Sequence, residues 1–261
     1  MGTMSQSELM GHLFRGAARA GPEENAMARR VVAALGVGTA DKVLDLGCGA
    51  GTVARALARE TGCLVTCVDD DDASLEALFE MGRKDGVESL LTPVKGSLST
   101  LSLPEASFSA VVLERPLRYL GIRLEAAGSL CRGLLRPSGR FAAIATAKVG
   151  RSVPAAVEAF HENQGQPLRY PFELAQALAQ EGYEPLHLEA WTDAVMSAWF
   201  RYVEQELGRL CGAELPPAAT QLRREVEVFQ REGGRACVND MLVVGRRQEP
   251  GEPLPSALGL D

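Results

Sequence analysis

Two short stretches of the chain hold residues that can do chemistry at a fixed spacing. In VLDLGCGAG, running from Val43 to Gly51, Asp45 precedes three glycines at 47, 49 and 51. In TCVDDDD, from Thr66 to Asp72, a run of four aspartates opens at Asp69. A strand, a glycine-rich turn and a helix in immediate succession place bare backbone N–H groups at a helix N-terminus, where they can face an anion or a polar cofactor. A Cβ at Gly47, Gly49 or Gly51 would block either the tight turn or the approach of ligand to chain. Asp69 ends the next apolar run, so in a doubly wound sheet it stands beside the glycine turn, where a carboxylate can accept both hydroxyls of a ribose. The aspartate run is not read as a metal site, because Asp71 or Asp72 is placed to cap the following helix. The turn reads GxGxG, with Thr52 where a dinucleotide fingerprint carries its third glycine, which argues against a nicotinamide or flavin ligand.

The elements that must position these residues follow from periodicity. From Met27 the chain alternates helical and strand-like segments, the signature of parallel βαβ units with helices on both faces of a sheet. The spacing predicts a helix over 27–35, a strand over 42–46, a helix over 52–60, a strand over 64–68, a helix over 73–82 and a short strand over 91–95. SAVVLE reads as a buried strand, GSLCRGLLRPSG as a helix ending in a Pro/Gly turn, and RFAAIATA as the next strand. Segment 149–170 carries Pro154, Gly165 and Pro167 and reads as a partly helical loop over the site. PFELAQALAQEGY is a helix with Pro171 in its first turn and Gly182 at its stop, and PLHLEAW is a strand. Before the closing strand ACVNDMLVVGRR, two stretches carry apolar residues at helical spacing: Val195, Trp199 and Val203 in one, Leu222, Val226 and Phe229 in the other. The expected organisation is an N-terminal segment 1–25 as a candidate lid, a main domain 26–248 and a loose tail 249–261. Within the main domain, the 149–170 loop and a 192–234 helical insertion form the expected substrate cap.

Composition narrows the function. At 261 residues the chain can bury a core without staples. A formal net charge of -7 argues against a surface that wraps nucleic-acid phosphates. The cysteines Cys48, Cys63, Cys67, Cys131, Cys211 and Cys237 form no CxxC pair, and no histidine stands at zinc spacing from them, so no metal is expected and the thiols read as reduced. No apolar run approaches the ~20 residues that span a bilayer, and no charged-then-apolar leader opens the chain, so the expected location is cytoplasmic.

VLDLGCGAGTVARALA, followed in order by VTCVDDDDASLEAL, LSLPEASFSAVVLE and LLRPSGRF, resembles the class I S-adenosylmethionine-dependent methyltransferases, in the small-molecule branch that includes ubiquinone-biosynthesis-type enzymes. The likeness runs over residues 26–147. It implies an α/β fold: a Rossmann-like, doubly wound, seven-stranded sheet with the last strand antiparallel, carrying in this chain a helical insertion between the last two strands. It also implies S-adenosylmethionine as cofactor, lying across the carboxyl ends of the first strands. Asp45 and Gly47 would contact its methionine part, with Cys48, Gly49 and Gly51 along its path. Asp69 would hold the ribose and Asp70 would lie near the adenine ring, with Ser97 and Leu98 in the next loop and Glu114 after the fourth strand. Where the family often has Gly-Asp, this chain has Gly96-Ser97, which exchanges a carboxylate for a weaker neutral acceptor. Ser138 in RPSGR stands where glycine is more usual.

Methyl transfer from a sulfonium is an in-line displacement with an excellent leaving group. Positioning and exclusion of water carry the catalysis, and a base is needed only where the nucleophile bears a proton. Glu114, Tyr119 and His161 are the candidate catalytic residues, with Glu162 beside the last; His12 and His187 carry less signal. Substrate contacts are expected from Arg115, Arg118 and Tyr119, on the edge that faces the transferred methyl in this fold, and from Trp199 and Tyr202 in the insertion. The insertion, rich in large side chains, is either a lid that shapes an apolar pocket or a helical pair that covers the sheet end or meets a second copy; both readings stand. The function read here is methyl transfer to a small organic molecule, by a monomer or homodimer. The alternative is a catalytically silent methyltransferase-fold subunit that binds or regulates, favoured by Ser97 and opposed by the intact Asp45, glycines and Asp69. A nicotinamide-dependent oxidoreductase is opposed by Thr52. No Asn/Asp-Pro-Pro-Tyr tetrapeptide follows the fourth strand, which disfavours methylation of base or glutamine amino groups, and the cysteines do not gather as arsenite-methylating relatives require.

Overall fold

The computed structural model describes residues 6–17, 22–97, 102–210, 217–249 and 251. Leu98, Cys211 and most of the 249–261 tail lie outside the described residues. Seven strands, β1 (Lys42–Leu46), β2 (Leu64–Asp69), β3 (Leu91–Lys95), β4 (Phe108–Leu113), β5 (Leu135–Lys148), β6 (Tyr183–Ala190) and β7 (Val238–Arg247), form one sheet in the order β3-β2-β1-β4-β5-β7-β6. Pairing is parallel from β3 to β5, and β7 runs antiparallel to both β5 and β6. The central strands β1 and β4 are buried on both faces, which is why KVLDL and FSAVVL are nearly all apolar instead of alternating.

Two cores form because successive side chains of a strand point to opposite faces. Val43, Ala110, Val112 and Ile144 join a core with α1 (Gln6–Ala17), α2 (Pro22–Leu35), α3 (Thr52–Thr61), α9 (Asp193–Leu210) and α10 (Pro217–Arg231). Leu44, Val111, Leu113 and Phe141 join the other, with α6 (Leu124–Arg132) and α8 (Pro171–Gln180). The remaining helices are α4 (Asp72–Lys84), α5 (Leu117–Leu120), α7 (Ala155–Asn163) and α11 (Gly234–Cys237). The helix α1 contributes the buried Leu9, Met10 and Leu13 to the first core. Among the described residues, no helix is long and apolar enough to cross a membrane.

Two local expectations change, and one gains its helix. The helix read over GSLCRGLLRPSG ends at Arg132, and β5 already begins at Leu135. Pro137 and Ser138 sit where the β4–β5 register shifts between Phe108 and Ala110, so the bulge absorbs the turn residues, and Ser138 takes a left-handed φ of 57°. Segment 149–170 contains the nine-residue helix α7, which packs on α10. On α9 the fully buried face is Met196, Phe200, Val203 and Leu207, so only Val203 of the predicted Val195–Trp199–Val203 stripe belongs to it, whereas Leu222, Val226 and Phe229 of α10 are all buried.

Candidate active site

The glycine turn between β1 and α3 is tied to β2: Gly47 N and Cys48 N both donate to Val68 O, at 2.8 and 3.0 Å. Gly47, Gly49 and Gly51 have φ of 74°, 53° and 73°, a region that side chains rarely enter. Their reasons differ. A Cβ on Gly51 would run into Leu78 Cδ1 of α4, so this glycine, expected along the cofactor path, serves helix packing. A Cβ on Gly47 would lie 3.4 Å from Leu120 Cδ2, and one on Gly49 4.0 Å from Phe14 Cβ, beside open space.

Two buried carboxylates flank the turn. Asp45 is fully buried, and neither oxygen has a partner at full hydrogen-bond geometry among the described residues. Burial, with the charge of Asp69 next, raises its carboxyl to about 7, while Glu114 and Arg115 act the other way. Asp69 is engaged on three sides: Oδ2 accepts from Gly49 N at 2.8 Å and from Arg115 Nη2 at 3.0 Å, and Oδ1 accepts from Asp71 N at 3.0 Å. Burial pushes the Asp69 carboxyl up and Arg115 pulls it back. Asp71 is the N-cap of α4, accepting from Ser74 N at 3.1 Å, and pairs with Arg15 of α1. The Cys48 thiol is buried and held well above its ordinary pKa by hydrogen bonding to Cys67 and by burial.

Two cavities lie at this end of the sheet. One, of about 660 Å³, lies along Gly47, Asp69, Asp70, Ser97 and Arg115. The other, of about 320 Å³, is lined by Phe14, Met27, Ile144, Trp191, Met196 and Trp199, with Glu114 and Val53 at its inner end. Glu114 Oε2 accepts from Val53 N at 3.3 Å, at the N-terminus of α3. An aromatic wall stands between the two. Phe14 stacks on Trp199 at 4.9 Å and meets the edge of Tyr119 at 5.9 Å, while the Arg115 guanidinium lies 5.1 Å over the Phe14 ring.

Several predicted site residues occupy other positions. Arg118, expected at the substrate, is buried and bonded to Glu225 Oε1 (2.6 Å), Thr146 Oγ1 (3.0 Å), Tyr119 OH (3.1 Å) and Asp240, which leaves its guanidinium committed within the fold. Tyr119 OH donates to Glu225 Oε1 at 3.0 Å and accepts from Trp199 Nε1 at 3.1 Å, and burial raises its phenol further, so it is not a base. His161 lines neither large cavity; burial, and then the Arg118 charge, lower it to about 3. Arg115 lies against Asp69 instead of the apolar cavity. Trp199 and Tyr202 do line the apolar cavity, and Tyr202 OH also donates to Leu13 O at 3.1 Å. His12 stands on α1 and faces Glu206. Sequence reading missed Phe14, whose only signal is the apolar spacing of LMGHLF, and Asp240, a lone acid in an apolar strand. Glu225, in REVEVF, carries no signal at all. Among the described residues no group of three or more His, Cys, Asp or Glu could hold a metal ion.

Residues 43–139 match a family described as "Methyltransferase domain". A sterol 24-C-methyltransferase of Eremothecium gossypii is 30% identical over 158 residues, 58% of this chain and 42% of that protein. The chain spans less than half the length of the curated relatives it matches. A SAM-dependent methyltransferase from Thiobacillus denitrificans, solved with S-adenosyl-L-homocysteine, superposes with a TM-score of 0.67 at 17% identity, covering 87% of this chain and 92% of that one. A geranyl diphosphate methyltransferase solved with SAM gives 0.60 at 16% identity, covering 85% of each chain. With its strand order and its antiparallel last strand, the chain has the fold of these methyltransferases, and residues 43–139, which carry the glycine turn and Asp69, match the methyltransferase domain family.

Proposed function

We propose that the chain transfers a methyl group from S-adenosylmethionine to a small, largely apolar organic molecule. The observation that carries this reading is the Asp45 carboxylate, fully buried beneath the glycine turn without a partner at full hydrogen-bond geometry among the described residues. Such a group is costly unless a ligand completes it, and a ligand ammonium would do so. The bare backbone at Gly47 and the 660 Å³ cavity running on to Asp70 and Ser97 fit an elongated cofactor with a sugar and a base. Asp69 fits less simply. A carboxylate has about four acceptor sites, and three of them are already taken. Accepting two ribose hydroxyls therefore requires one donor to leave, and of the three only Arg115 is a side chain. When bound, the cofactor supplies a methyl on a sulfonium, which passes to a nucleophile with the S–CH3 electron pair staying on sulfur.

The chain's own part is to orient and to exclude water. Phe14 and Trp199 wall the apolar cavity, and Glu114, at its inner end, is the acceptor for a proton that the nucleophile must lose. The relatives named for sterol and geranyl diphosphate support an apolar acceptor. The buried free cysteines support a cytoplasmic setting, and the net charge of -7 supports an acceptor other than nucleic acid. A second reading, binding without catalysis, is favoured by the closure of Asp69 by Arg115. Calorimetric titration with S-adenosylmethionine and S-adenosylhomocysteine, with NADH as control, tests the first. Binding at roughly micromolar level, lost in Asp45→Asn, is expected; a folded protein that binds neither ligand refutes it.

A further inference from the structure

The charges lining the apolar cavity are unevenly placed. Glu114 and Asp240 belong to the sheet end, Glu114 directly after β4 and Asp240 within β7, where it is 4% exposed and paired with Arg118. Among the described residues, the one cation lining the cavity is Arg201, on α9. Arg201 is exposed and also lines the cavity, so it stands where the cavity opens to solvent, and it makes no ion pair or hydrogen bond with a described residue. Gln205, also exposed and also lining the cavity, lies four residues on, which puts both side chains on one face of the helix. Val195, in the same wall, is six residues before Arg201, about 9 Å along the helix axis.

We propose that this cavity takes an amphipathic anion: an apolar body of modest size carrying a carboxylate, held with the carboxylate outward on Arg201 and Gln205 and the opposite end inward beside Glu114. A guanidinium fork matches a carboxylate, and the Gln205 amide adds a further donor. Asp240 is already paired with Arg118, so Glu114 at the inner end is the acid that repels an anion and fixes which way round it lies. A cation would meet the reverse field, and a neutral molecule would gain nothing from Arg201. A volume near 320 Å³ is at the small end of ligand pockets, about 300–1,000 Å³, so the body is a short chain or a single ring system. On the methyltransferase reading, on which this consequence rests, the carboxylate is a handle and the methyl is received at the other end, so the product keeps its anion.

Calorimetric titration with decanoate, decanol and decyltrimethylammonium, each below its micelle concentration and at low salt, tests the proposal. Decanoate is expected to bind about five- to tenfold tighter than decanol, a preference that shrinks as salt is added. Arg201→Gln should bring the ratio to about one, and Arg201→Glu should turn the preference toward the ammonium. Absent decanoate binding, equal affinity for decanoate and decanol, or a carboxylate preference that survives Arg201→Gln overturns the proposal. Arg201 is exposed, so both variants should fold, and circular dichroism checks this. S-adenosylhomocysteine titrated into the same samples separates the two readings. Its binding without a carboxylate preference refutes the amphipathic anion alone, whereas the preference without its binding refutes the methyltransferase reading and leaves the anion site in place.

Discussion

Arg115 Nη2 donates to Asp69 Oδ2 at 3.0 Å, and both residues are buried, at 7% and 2% exposure. The carboxylate proposed here to meet a ribose is thus neutralised from within the chain. Asp69→Ala should weaken S-adenosylhomocysteine binding by about 1.5–3 kcal/mol, the range for hydrogen bonds to a charged group. Arg115→Met should lower the melting temperature of the ligand-free protein, because it leaves a buried charge alone. At pH 8 the same variant should bind S-adenosylhomocysteine more tightly, since nothing must then be displaced. Unchanged or weaker affinity in calorimetry would falsify displacement.

Asp45 makes ligand-free stability depend on pH. Its carboxyl is raised to about 7 in the folded chain, against about 3.9 when unfolded, so the folded state holds an extra proton between those values. Its contribution is fully present below about pH 4 and is lost as pH rises through about 7. Asp45→Asn should therefore be more stable than the parent at pH 8 and lose most of that advantage by pH 5, measured by thermal melts. A ligand ammonium favours the ionised form, so cofactor affinity should fall as pH drops below about 7 in the parent protein.

Arg118 holds Glu225 of α10 and Asp240 of β7 together, and so pins the helical insertion to the sheet. Burial raises the Glu225 carboxyl above its ordinary value, and Arg118 is the strongest influence pulling it back. Arg118→Met should cost about 3–5 kcal/mol in urea unfolding, as expected for a buried pair that loses one partner. Tyr119→Phe removes only one hydroxyl from the network and should cost about 1–3 kcal/mol.

The glycines should separate by phenotype. Gly51→Ala must adopt a φ of 73° and displace Leu78, so it should destabilise the protein, with partial recovery in the Gly51→Ala, Leu78→Ala double variant. Gly47→Ala meets only ordinary contact with Leu120, so its folding penalty should stay near the roughly 1–2 kcal/mol of a left-handed residue. Its larger effect should appear in cofactor affinity. Denaturation curves and calorimetry on the two variants distinguish these outcomes.

The sequence by itself determined whatever depends on near neighbours. The left-handed turn at 47–51, an aspartate cap of α4 at Asp71 or Asp72 and the near-continuous apolar strands β1 and β4 all follow from φ preference, local hydrogen bonding and two-faced burial. Order along the chain, together with the family resemblance, was enough for the sheet and the insertion, and for placing Asp45 and Asp69 beside the glycine turn. Tertiary structure alone decided the partners. Arg115 meets Asp69 across 46 positions, Trp199 meets Tyr119 across 80, and Arg118 meets Glu225 across 107. Three polar residues after one strand, Glu114, Arg115 and Arg118, look alike in sequence but go to the apolar cavity, the glycine turn and the insertion respectively. The same holds for α9, whose spacing showed an amphipathic helix but left open which residue turns to the core and which to the cavity. Distant packing settles such choices, because a side chain's spacing specifies its own helix face or strand side and carries no information about which element the topology brings opposite it.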